Sequence, residues 1–152
     1  MRKTFILIFF GTSTSACQNL ELLGIGTEAV PGTIVFYGDS TTIDVPDLIT
    51  AGKPFEVRFN TFGGGCLGEG ARDRVSGHGN ELLIRPFDRD GSNKNVVCTA
   101  DLRPIRHSVR AVRDVPGPIT IRIAGLRKHS GSYDGVPVAL TRSVMVIAPS
   151  PP

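Results

Sequence analysis

The sequence predicts an all-β domain, an antiparallel sandwich of about seven or eight short strands closed by one disulfide. Three observations predict it. In the clearest runs apolar residues recur with period two, as Phe55, Val57 and Phe59 do between Glu56, Arg58 and Asn60. Turn residues are dense, with 18 glycines and 11 prolines in 152 residues. No long stretch has a convincing helical period.

The chain opens with MRKTFILIFFGTSTSAC, which has the parts of an export signal over residues 1–16. Arg2 and Lys3 supply the positive start, and Phe5 to Phe10 the apolar run. As a helix that run reaches only about 9 Å against a hydrocarbon core of roughly 30 Å. It is therefore no permanent membrane anchor, and no later apolar run is longer. T-S-A-C at 14–17 resembles the bacterial lipobox, in which the cysteine is lipidated and becomes the mature N-terminus. Cysteine arithmetic agrees: lipid on Cys17 leaves Cys66 and Cys98 as an even pair. The alternative is ordinary cleavage after Ala16. Several acyl chains on Cys17 would hold the protein to a membrane.

Residues 17–32 read as a tether or first edge segment, 33–148 as the sandwich, and 149–152 as a proline tail. Strand-like runs follow in order at 33–38, 41–45, 53–62, 81–87, 95–99, 118–125 and 135–148. Alternation in the last of these slips near Ser143, which suggests a bulge or a strand covered on both sides. Residues 101–113 fit two patterns. Leu102, Ile105, Val109 and Val112 make a helical stripe, yet 107–123 also reads as two strands joined by a Pro-Gly turn, and the strand is adopted.

The order of these signals from 41 to 148 resembles immunoglobulin-like domains of exported bacterial envelope proteins and lipoproteins. Asp44-Val45-Pro46 stands where such domains carry an edge strand, and Ala51-Gly52-Lys53-Pro54 where a turn leads into the first core strand. The resemblance implies an immunoglobulin-like sandwich in the cell envelope. It transfers no binding or catalytic residue.

Charge excludes little but weakens one class. The whole chain has 17 basic and 14 acidic residues and a pI near 9.0. Removing Arg2 and Lys3 with the signal leaves 15 against 14, and the arginines are interleaved with Asp and Glu. That pattern is a solvated surface rather than a nucleic-acid groove.

The stretch TFGGGC at 61–66 asks most directly for a function. A phosphate loop would continue into a helix with Lys and Ser/Thr, but here Leu67, Glu69 and Asp73 follow. A redox pair would show C-x-x-C, whereas 32 positions separate Cys66 from Cys98. Zinc would need a closely spaced ligand pair, which Cys66, Cys98, His78, His107 and His129 do not form. The remaining reading is a structural disulfide between Cys66 and Cys98, with Gly63, Gly64 and Gly65 allowing positive φ where the chain leaves a core strand. DRDGSN at 88–93 has calcium-like Asp88, Asp90 and Asn93, but Thr99 stands where an EF-hand has glutamate, so a turn is expected. No G-x-S-x-G elbow occurs.

These readings predict a non-catalytic extracytoplasmic module that needs no cofactor or metal. It would be tied to the membrane through its lipid, with an envelope protein as partner and no nucleic acid. Binding would fall to loops 62–80 and 127–135, with Arg72, Arg74, His78, Lys128, His129 and Tyr133 as candidates. The alternative is a metal-binding or hydrolytic domain using His78, His107 or His129.

Overall fold

In the computed structural model the described residues are 28–129 and 134–150. The export signal, Cys17, most of the tether, Tyr133 and the last two prolines lie outside them. The described chain is all β, with twelve strands: β1 (Glu28–Pro31), β2 (Thr33–Phe36), β3 (Asp39–Ser40), β4 (Leu48–Thr50), β5 (Pro54–Gly63), β6 (Leu67–Gly68), β7 (Arg74–His78), β8 (Glu81–Arg85), β9 (Phe87–Asp90), β10 (Arg103–Val112), β11 (Gly117–Lys128) and β12 (Val136–Ile147).

Period two explains the long ones. β5 and β10 pair antiparallel over ten residues each, from Val112 opposite Pro54 to Arg103 opposite Gly63. Their inward residues, among them Phe55, Val57, Phe59 and Val109, pack against Ile119, Ile121 and Ile123 of β11 and Val144 and Val146 of β12. β11 is the axis of a seven-stranded sheet. It pairs with β12 along one edge and with β8 and then β2 along the other; β7 extends β8, β3 extends β2, and β4 extends β12. The apolar core lies between this sheet and the β5–β10 ladder. Ile34, Val57, Ile84, Ile121 and Ile123 are fully buried.

The expected count and the purely antiparallel pairing are corrected. β2 and β8 run parallel to β11, and β4 runs parallel to β12. Two breaks within longer strands account for part of the count. Pro86, which lacks an N–H, ends β8 before β9, and Gly32 separates β1 from β2. On the far side of each break the chain joins another sheet, in which β9 pairs with β1 and β6. The breaks cross: the Gly32 N–H donates to the Pro86 carbonyl at 2.9 Å. A Cβ on Gly32 would sit 2.5 Å from Thr61 Cγ2, so the crossing is open only to glycine.

Other expectations change for local reasons. Residues 101–113 contain strand β10, but the Pro-Gly turn after it joins strands of different sheets rather than a hairpin. Residues 41–45 form one isolated bridge, Asp44 to Arg58. Residues 95–99 form no strand: Val97 is 94% exposed and Val96 is exposed as well, so neither valine joins the apolar core. Residues 62–80 are more than loop, since they hold β6 and β7. The register of β12 on β11 is unbroken, so no bulge occurs near Ser143. An arginine takes the inward position instead: Arg142 donates to the Ile43 carbonyl and to Asp47 Oδ1, each at 2.7 Å.

Cys66 and Cys98 are disulfide-bonded, with Cα atoms 5.1 Å apart. Closing this loop stabilises the fold by roughly 3–4 kcal/mol in the chain-entropy view. The glycines before it serve close approach, not positive φ, which none of Gly63, Gly64 and Gly65 adopts. A Cβ on Gly63 would come within 2.8 Å of Ile105 Cδ1, and one on Gly65 would collide with Thr99.

Candidate functional site

At one end of the core the inward faces of β5 and β10 turn polar. Thr61 on β5 and His107 on β10 occupy positions that alternation assigns to the interior, and both are buried. Asp88 of β9 reaches the same place and is 1% exposed, while Asp73 comes from the segment before β7. Both aspartates lie inside the loop that Cys66–Cys98 closes, so the staple tethers the segment that delivers them.

The four side chains form one hydrogen-bonded chain. His107 Nδ1–H donates to Asp73, 3.1 Å from each carboxylate oxygen. On the other side of the ring Nε2–H lies 3.0 Å from both Asp88 Oδ1 and Thr61 Oγ1. The Thr61 hydroxyl donates to Asp88 Oδ1 at 2.6 Å. Asp73 is itself oriented by the Phe87 N–H at 3.0 Å. The Phe59 ring stacks on the imidazole, 5.1 Å between centroids and 6° from parallel. Burial pulls the imidazolium down, but the hydrogen bonds and charges of Asp73 and Asp88 outweigh it and hold His107 up at about 9. The ring is a cation at neutral pH. Asp88 Oδ2 is buried with no hydrogen-bond partner among the described residues.

Asp73, His107 and Thr61 stand in the order carboxylate, imidazole, hydroxyl, the order of a hydrolytic triad. Two features oppose that chemistry. Thr61 is fully buried, leaving a scissile bond no approach. A histidine that carries its proton at neutral pH cannot accept one from the hydroxyl. The carboxylates also lie on opposite sides of the ring, so they do not converge on a common point. Among the described residues no group of three or more His, Cys, Asp and Glu side chains is arranged to hold a metal ion.

The outer face of the same layer is different. Asn60, Arg58 and Glu56 on β5 stand opposite Arg106, Ser108 and Arg110 on β10. Arg58, Asn60, Arg106 and Ser108, with Thr42, Asp44 and Glu69, line an open hollow of about 610 Å³ that Phe59 and His107 also border, and arginines and carboxylates are mixed in it. Glu56 accepts hydrogen bonds from both Arg58 and Ser108, and these hold its carboxyl below the usual range.

The proposed binding residues divide. Arg72, Arg74 and His78 are exposed on or beside β7, with the Arg74 guanidinium over the Phe87 ring at 4.9 Å. Lys128 and His129 lie at the end of β11, and Tyr133 is outside the described residues. His78 and His129 are exposed, whereas the side chains that hydrogen-bond His107 are Thr61, Asp73 and Asp88. In the calcium-like stretch, Asp88 turns inward to His107 and Asp90 Oδ1 accepts the Ser92 N–H at 2.8 Å, as a turn requires. Nothing local in the sequence joins Thr61, Asp73 and Asp88 to His107. The available signal was a Thr and a His on the apolar face of two alternating strands. No family model, no curated protein and no solved structure matches the chain.

Proposed function

We propose that the chain is a non-catalytic, extracytoplasmic module of immunoglobulin-like sandwich type, anchored through lipid on Cys17, that binds a partner in the envelope. One observation carries the reading: the hydroxyl of the triad-like cluster is fully buried, and its histidine is held between two carboxylates, which suits holding elements together and not turnover. The disulfide fits an oxidising compartment. Two layers that bury one core between them support the sandwich type, and parallel edge pairing is compatible with it. Binding then belongs to the exposed outer face and edge of the β5–β10 layer, not to the interior.

The rival reading, hydrolysis through His107, rests on the same order of bonds. p-Nitrophenyl acetate turnover separates the two when measured on the wild type and His107→Gln, with the His107 ring followed by NMR. Equal background rates and a titration midpoint near 9 are expected. Turnover that disappears in His107→Gln would favour the enzyme.

A further inference from the structure

Among the described residues, two of the strand edges left unpaired come near each other. β10 ends the two-stranded sheet, and β7 pairs only with β8. Their neighbouring residues meet: Asp73, just before β7, reaches His107, and the Arg113 guanidinium, just past β10, lies over Gly77. Both edges are basic, with Arg74 and His78 on β7 and Arg106 and Arg110 on β10, all exposed.

The hydrogen-bond phase of β10 follows from its neighbour. Arg58 gives both its backbone groups to Asp44, N to O and O to N at 2.8 Å. In an antiparallel ladder successive residues face opposite edges, so β5 turns Val57 and Phe59 toward β10. Their opposite numbers, Val109 and His107, complete those bonds. Arg106, Ser108 and Arg110 therefore aim their N–H and C=O groups outward, where no described strand receives them. Three residues of open ladder, two of them arginines, are a template for an added strand.

Charge selects what can be added. A second copy pairing antiparallel about Ser108 would set each Arg106 opposite an Arg110, an arrangement that like charges destabilise. An acidic strand meets the opposite condition. Arg106 and Arg110 are four residues apart on the outward face, about 13 Å along the strand, so matching carboxylates also fall four residues apart. We infer that β10 is a docking edge for an extended acidic segment of another protein. That segment adds as a strand beside Arg106–Arg110 and places two carboxylates, four residues apart, against these arginines. The inference rests on the binding-module reading and names the chemistry of the partner.

The test uses two synthetic ten-residue peptides of Thr and Val, one carrying two glutamates four residues apart and the other lysines there. Backbone amide exchange is followed by NMR on the intact protein. The glutamate peptide is expected to slow exchange at Arg106, Ser108 and Arg110 about tenfold, and the lysine peptide to leave it unchanged. Ser108→Pro, which removes one outward N–H, should weaken binding about tenfold. Arg106→Glu with Arg110→Glu, both at exposed positions, should reverse the peptide preference. Equal effects of the two peptides, protection elsewhere than β10, or protection that rises with protein concentration alone would overturn the inference. Failure here leaves the non-catalytic reading intact, since that fails only on turnover that depends on His107.

Discussion

Along the inward face of β5, Phe55, Val57 and Phe59 belong to a core built with Ile121, Ile123 and Val146, whereas two residues further Thr61 meets His107 and Asp88. One strand thus serves two interiors of different physics. The apolar region is stabilised by area removed from water, roughly 25 cal/mol per Å², and tolerates any residue of suitable volume and shape. The polar region has no such tolerance. Each buried charge there is costly unless every partner is in place, so it specifies one geometry and depends on segments distant in sequence.

The sharpest way to break the comparison is to remove the cation. His107→Ala leaves the Asp73 and Asp88 carboxyls facing a void, and should cost about 3–5 kcal/mol in urea unfolding at pH 7. Ile121→Val, in the fully buried apolar region, should cost only about 1 kcal/mol. If His107→Ala is the milder change, the two regions do not differ as argued.

A smaller effect separates the regions by pH. In the folded protein His107 titrates near 9, against an ordinary value of 6.5. A raised folded value contributes stability that is fully present below 6.5 and is lost as pH rises through 9. The amount is about 3 kcal/mol, read as a fall in unfolding free energy between pH 6.5 and pH 9.5. Ile121→Val should keep that slope, and His107→Gln should lack it. An equal slope in His107→Gln would assign the pH dependence to other groups.

The same contrast explains what was legible in the sequence. β5, β11 and β12 announce themselves because apolar burial on one face imposes period two, and period is local information. The disulfide was legible because the opening residues read as an export signal, and two cysteines in an oxidising compartment have few other uses. The polar end was not, since Asp73 and Asp88 are 34 and 19 residues from His107 and only the fold joins them. Asp88 even sits in a stretch that reads as a calcium-like turn. The glycines at 63–65 were readable as a bend, but whether they answer positive φ or crowding depends on Ile105, Leu67 and Thr99, which are brought close only by folding. Twelve strands where seven or eight were expected reflect breaks such as Gly32 and Pro86, where one chain segment serves two sheets.

The smallest effect falls on the residue where the two regions touch. The Thr61 hydroxyl donates to Asp88 Oδ1 and accepts from His107, while its methyl packs where Gly32 has room for no Cβ. Two substitutions split these roles. Thr61→Val keeps the shape and β-branching but withdraws a hydrogen bond from a carboxylate whose Oδ2 already lacks a partner, so it should cost about 1–2 kcal/mol. Thr61→Ser keeps the hydroxyl and removes one methyl over the strand crossing, a loss of about 1 kcal/mol. Only the first should move the His107 titration, because only the first alters what its Nε2–H meets. If Thr61→Val proves neutral and leaves the titration in place, the hydroxyl is incidental, and the polar end reduces to an ion triplet that Thr61 merely covers.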